Sequence, residues 1–228
     1  MKSPYTENYK NHYLNIDGVY PSVLALKFFL GKNPELNFRN VDFTARSILD
    51  IGFGDARDLV LFNNLGFDTY GIEVDQTVVN HTIKKLNKIN ININLSKGFN
   101  DEININKDDF DFIYGNASLM YLKDENSSIQ KTLSHLYSKI NVNGYLLGNF
   151  TRFDSHITKD AKRLDNNRII VKDPFFKQRD GQLYWLHNSK NEALDDLFET
   201  GFKNCKVFDF DVDWFGTRET HYVFFAQK

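Results

Sequence analysis

Hydrophobic and polar positions along this chain alternate between a helical period and short apolar runs, and that alternation lays out the elements. The opening is polar but carries Tyr5, Tyr9 and Tyr13, a four-residue spacing that puts the three rings on one face of a helix. Pro21 opens a second helix, PSVLALKFFLG, which Gly31 can end. After a loop containing Pro34, SILDIG is an apolar run closing on glycine, the pattern of a buried strand, and ARDLVLFNNLG returns to the helical period until Gly66. The unit then repeats. FDTYGIE predicts a second strand, QTVVNHTIKKLNK its helix, ININLSKG a third strand, FDFIYGN a fourth, NSSIQKTLSHLYSKI a helix and GYLLGNF a fifth strand. Strands alternating with helices imply a parallel sheet with right-handed crossovers.

Residues 151–189 break the pattern, with Arg152, His156, Asp173, Pro174, Arg179 and Gly181 in irregular polar sequence. This segment is read as a substrate-binding insertion. EALDDLFETG then predicts a helix, and CKVFDFDV and HYVFFAQK two strands closing as a hairpin. No repeat or linker divides the chain, so residues 1–228 are read as one domain, with residues 1–40 as an N-terminal helical segment.

Composition narrows the function classes. A chain of 228 residues suffices for one full α/β domain, and 21 Phe with 11 Tyr must largely fill its core or line a pocket. A net charge of -2 offers no long-range attraction to a polyanion, so no nucleic-acid partner is expected. The single cysteine, Cys205, excludes an intramolecular disulfide and a cysteine zinc cage, and no metal is expected. No run reaches the roughly 18 apolar residues of a membrane span, and MKSPYTENYK lacks the apolar core of a secretory signal. A soluble, cytoplasmic protein without membrane insertion is expected.

The candidate chemistry lies where the first strand turns into the first crossover helix: Asp50-Ile51-Gly52-Phe53-Gly54-Asp55-Ala56. Gly52 and Gly54 permit a tight turn and close approach of backbone to ligand. A dinucleotide fingerprint needs a third glycine at position 57, where this chain has Arg57. Asp50 would repel a phosphate but suits a cation. Its other reading is a carboxylate that satisfies backbone donors of the turn. Glu73, ending the second strand, can accept both hydroxyls of a ribose, and Asp75 is the competing choice. Gly98-Phe99-Asn100 follows the third strand, where Asn100 could meet an adenine edge and Phe99 cover its face, unless the segment is an ordinary loop. Asn116 follows the fourth strand at the carboxyl edge, where open α/β sheets bind ligands.

The succession ILDIGFGDA, YGIEVD, SKGFN, DFDFIYGNASLMYL and NVNGYLLGNF resembles the class I S-adenosylmethionine-dependent methyltransferases from their first motif through the fifth strand, over residues 40–150. The resemblance implies an α/β fold: a Rossmann-like, seven-stranded, mostly parallel sheet with an antiparallel last strand, helices on both faces and an N-terminal helical lid. It implies S-adenosylmethionine as cofactor, held by Asp50, Gly52, Gly54, Glu73, Phe99, Asn100 and Asn116. The segments YPS and DPFFKQRDG look like bacterial methyltransferases of capsule and surface-polysaccharide biosynthesis.

Within that family several acceptors are set aside. YGNASL lacks the Asn/Asp-Pro-Pro-aromatic motif of nucleic-acid amino methyltransferases, Cys205 lies too late for C5-pyrimidine chemistry, and Asn116 and Asn149 stand where a metal-dependent enzyme would carry carboxylates. A small-molecule acceptor remains, a sugar or phosphorylated intermediate among them. An alcohol acceptor requires a general base. His156, just after the fifth strand, is the first candidate, ahead of His12, His187 and His221. Arg152 and Arg179 could bind an anionic group, and Tyr9, Tyr13 and Tyr20 could line the acceptor site or simply pack. Two other classes stay open: a non-catalytic binding or scaffold protein on the same fold, and a nicotinamide-dependent oxidoreductase.

Overall fold

The computed structural model describes residues 7–15, 20–36, 38, 40–107, 109–173 and 177–228. Two helices precede the sheet, α1 (Glu7–Leu14) and α2 (Val23–Phe29). Tyr5 lies outside the described residues, while Tyr9 and Tyr13 both fall on α1. The second helix begins at Val23 because Ser22 caps it, its Oγ accepting from the Ala25 N–H at 3.1 Å. Ser22 is itself held by Asp58, donating its N–H to Oδ1 and its Oγ–H to Oδ2, both at 2.7 Å.

The strand and helix succession then runs β1 (Ser47–Ile51), α3 (Arg57–Asn64), β2 (Asp68–Glu73), α4 (Gln76–Lys88), β3 (Asn94–Lys97), β4 (Phe110–Gly115), α5 (Ile129–Ser138) and β5 (Ile140–Thr151). After the insertion come α6 (Lys190–Thr200), β9 (Lys203–Trp214) and β10 (Thr217–Gln227). The main sheet has seven strands in the order β3-β2-β1-β4-β5-β10-β9. Its first five strands pair in parallel. Only β10 runs antiparallel, to β5 and β9 alike. All five residues of β1 are buried, as a central parallel strand covered on both faces must be.

The hairpin is longer than its apolar runs predict, because the charged alternation of FDFDVDW and TRET continues the pairing to Trp214 and Thr217. The insertion also differs from the irregular expectation. It forms a three-stranded antiparallel sheet of β6 (Lys162–Arg163), β7 (Arg168–Ile170) and β8 (Leu183–Trp185). This small sheet is hydrogen-bonded onto the segment after β4, through Leu122 N–H to Leu183 O at 2.9 Å and Trp185 N–H to Met120 O at 2.8 Å. Met120, Ile157, Ile169, Val171, Tyr184 and Leu186 bury themselves beneath it. Among the described residues no helix is long and apolar enough to cross a membrane.

Much of the aromatic excess sits where α2 and α3 cover one face of the sheet. Phe29, fully buried, has the rings of Phe38, Phe43, Phe62, Phe67, Phe112 and Tyr114 within 6.4 Å, mostly edge to face. Phe29→Ala is therefore expected to cost about 3–5 kcal/mol of stability. Chemical denaturation would check it, the transition midpoint falling with little change in slope.

Candidate functional site

The turn between β1 and α3 is fixed by geometry that only small residues accept. Gly52 and Gly54 have φ of +69° and +53°, in the left-handed region where a side chain is strained. A Cβ on Gly52 would stand 2.8 Å from the Ser118 Cβ, so the turn after β1 and the loop after β4 touch backbone to side chain. Ala56, the third small position, also has positive φ, at 68°.

Glu73 ends β2 beside this turn and is buried. Its Oε2 accepts from the Gly54 N–H at 3.1 Å, and its Oε1 accepts from the Val74 N–H at 2.7 Å and the Tyr9 hydroxyl at 3.0 Å. Burial pushes its pKa up, and these three donors oppose the rise. Of the two acids weighed for a ribose, Glu73 is the one that faces the cavity. Asp75 instead caps α4, accepting from Thr77 and Val78, and pairs with Lys10 at 3.3 Å.

The cavity at the carboxyl ends of β1, β2 and β4 is lined by Gly52, Glu73, Gly98, Phe99, Asn116 and Arg179, among others. Tyr9 and Tyr13 roof it and pack edge to face at 4.9 Å. Tyr13 presses so closely on Gly54 that a Cβ there would meet its ring carbon at 2.4 Å. The space left is about 60 Å³, far below the roughly 300–1,000 Å³ of ordinary ligand pockets. Tyr9 and Tyr13, read from the sequence as residues of the acceptor site, thus border the cavity beside Glu73, and Tyr9 bonds the oxygen a ribose diol would use.

The charge of this end is negative. Asp50 is buried on the α2 side of β1, and its pKa is driven far up by burial and then by Asp58, Glu73 and Asp55. Arg57 pairs with Asp55 at 3.0 Å, which leaves more buried carboxylates here than that one cation matches; such groups are costly, and a positively charged ligand would relieve part of that cost. S-adenosylmethionine, which carries a sulfonium and an ammonium, fits this donor set. Glu73 would take its ribose, Phe99 and Val74 flank its base, and the acids beneath Gly52 face its positive charge. Asn100 lines the cavity but spends its side-chain N–H groups on the carbonyls of Ser118, Leu119 and Tyr121 at 3.1–3.2 Å, so it staples the loop after β4.

Two further hollows adjoin the cavity. One lies under the insertion, lined by Ala117, Thr151, His156, Arg179, Glu219 and His221 among others. The second lies toward α2, lined by Ser22, Arg57, Asn116, Asn149, Trp214, Glu219 and His221 among others. Asn116 borders the cofactor cavity and the second hollow, Ala117 and Arg179 the cavity and the first. His221 sets its Nε2 3.2 Å from Glu219 Oε1, and that hydrogen bond is the main cause holding Glu219 below its usual pKa. The sequence ranked His221 behind His156, whose Nδ1 is tied to the Arg218 carbonyl at 3.0 Å. Its position two residues from Glu219 was the available signal.

Three other expectations fall away from this site. Arg152 borders neither hollow: Asp154 and Asp209 bind its guanidinium at 2.9 and 3.3 Å, and it lies over the Tyr222 ring. Tyr20 is 82% exposed and lines no cavity described. His187 is buried against Asp196 at 2.8 Å, joining the insertion to α6. Among the described residues no cluster of His, Cys, Asp and Glu could hold a metal.

Comparison with known proteins agrees with this geometry. The methyltransferase domain family matches residues 25–191. A malonyl-[acyl-carrier protein] O-methyltransferase of Calditerrivibrio nitroreducens is 29% identical over 164 residues, 69% of this chain. The match spans 59% of that relative's length. Among solved structures, a SAM-dependent methyltransferase of Methanosarcina mazei superposes with a TM-score of 0.61 at 16% identity, over 81% of this chain and 92% of that one. A Pyrococcus horikoshii protein gives 0.62 at 11% identity, over 99% and 93%.

Two outcomes are expected. If a ribose takes the Glu73 oxygen that Tyr9 holds, Tyr9→Phe should lower the dissociation constant for S-adenosylmethionine several-fold in calorimetry, whereas a helix that merely clamps the ligand would give weaker binding. Because burial raises the pKa values of Asp50 and Glu73, a bound cation would favour their charged forms and lower those values again. Affinity should therefore rise with pH, and the binding enthalpy should track the ionisation enthalpy of the buffer. Asp50→Asn should reduce that proton release.

Proposed function

The chain belongs to the methyltransferase domain family, whose cofactor is S-adenosylmethionine, and from that premise we propose methyl transfer to an oxygen or nitrogen of a small acceptor. The observation that carries this reading is the meeting of the cofactor cavity with two hollows at Asn116 and Ala117, beside the Glu219–His221 pair. Bound S-adenosylmethionine supplies a methyl group on a positively charged sulfur, open to in-line displacement.

The remaining work belongs to the chain. Glu73 and the glycine turn fix the cofactor, and the loop after β4 sets the acceptor at its side, so that proximity carries much of the rate. His221 receives the acceptor's proton, and Glu219 stabilises the imidazolium that results. His156 is the second choice, since it borders only one of the two hollows. Arg179, at the seam between cofactor and acceptor and hydrogen-bonded to the Tyr121 hydroxyl, supports an acceptor with a phosphate or carboxylate. The segments YPS and DPFFKQRDG favour a sugar or phosphorylated intermediate of surface-polysaccharide biosynthesis, although residues 174–176 lie outside the described residues. A malonyl group, the acceptor of the Calditerrivibrio relative, is likewise an anion.

Release of S-adenosylhomocysteine from a panel of sugar phosphates, nucleotide sugars and acyl carboxylates would find the acceptor. With it in hand, His221→Ala should lower turnover by roughly 10²–10⁴ and His156→Ala by much less, while Arg179→Ala should raise KM. Undiminished turnover in His221→Ala would move the base to His156. Tight cofactor binding with no transfer to any acceptor would favour the non-catalytic reading.

A further inference from the structure

The hollow beside Asn149 and His221 does not end at the reacting groups. A second, larger trench continues from it between α2 and the β9–β10 hairpin, with a volume of about 400 Å³ against 260 Å³ for the hollow itself. Val23, Leu24, Phe210 and Val223 wall both. Beyond them the trench is lined by Phe28, Leu36, Phe208 and Phe225. Apart from Lys27, its charged and amide groups are already engaged. Glu35 pairs with Lys206 at 3.2 Å, Asp209 is bound by Arg152 and Lys190, and the Asn33 amide donates to the Lys27 carbonyl. What the trench offers a ligand is apolar surface, and part of it stands open to water: Val23 is 59% exposed and Phe208 41%.

Resting on the methyl-transfer reading, we propose that the acceptor is an amphipath. Its polar head, which carries the methylated atom, sits by Asn149, Glu219 and His221. Its apolar chain runs outward along the trench between α2 and the hairpin. Three features favour a chain over a protein surface. The trench is concave, it narrows onto the reaction site through four shared side chains, and its polarity changes along its length from the His221 end to the Phe208 end.

The test uses butanoate, octanoate and dodecanoate as probes, titrated calorimetrically into the full chain with and without S-adenosylhomocysteine. Between butanoate and octanoate the dissociation constant should fall by roughly threefold to fourfold per methylene buried. Val23→Asp and Phe208→Asp, both at exposed positions, should flatten that dependence and leave S-adenosylhomocysteine affinity unchanged. Equal affinity across the series would overturn the proposal, as would a chain-length dependence that persists in both variants. Light scattering that finds a dimer split by the same substitutions would also overturn it, assigning the trench to a second copy of the chain. Failure of the methyl-transfer reading is separate, since it would appear as absent S-adenosylhomocysteine binding, or as cofactor binding without transfer to any acceptor, while the probe series still reports on the trench.

Discussion

A buried carboxylate must find donors, and in this protein the need of Glu73 ties together three parts of the fold that are distant in sequence. Its oxygens collect the N–H of the glycine turn, the N–H of the residue that follows it and the hydroxyl of Tyr9 on the N-terminal helix. Without those bonds the charge would be prohibitively expensive at 1% exposure. With them, the turn at Gly54 is held against the end of β2 and α1 is drawn across the sheet. A carboxylate so placed is also an acceptor that a diol could take over, so the interaction that organises this end of the fold is the one the proposed cofactor would have to remake.

The site built around it is polar in the electrical sense. Asp50, Asp55, Asp58 and Glu73 gather near the glycine turn with Arg57 paired to Asp55, while Arg179 stands where the cavity meets the hollow under the insertion. A cationic donor and an anionic acceptor would each meet the opposite sign.

The sheet core was legible because its signals are local. SILDIG, FDTYGIE and FDFIYGN are apolar runs of strand length, and the β1–α3 turn announces itself through Gly52 and Gly54. Parallel pairing followed from the alternation of strands with helices, whereas the spatial order β3-β2-β1-β4-β5-β10-β9 came only with the structure. The insertion was not legible, since strands of two or three residues such as Lys162–Arg163 and Leu183–Trp185 show no periodicity and exist only because β4's following segment offers them partners. Individual side chains divided the same way. Glu73 could be chosen from its position at a strand end, but Arg152 could not be set aside, because Asp209, one of the acids that claims it, arrives from a strand far along the chain. The roles of Tyr9 and His221 likewise depend on pairings that arise only after the sheet has assembled.

The strand β9 ends the sheet, and its outer edge has no strand beside it among the described residues. Twelve residues of open edge would ordinarily be a template on which other chains could add strands. Asp209, Asp211 and Asp213 alternate along it, so they share one face of the strand, and Lys203 and Lys206 stand nearer its start. Asp209 is bound by Arg152 and Lys190 and Asp211 by Arg218, so the aspartates that make FDFDVDW a poor match to an apolar strand pattern clothe this edge in engaged charge, a covering that discourages added strands.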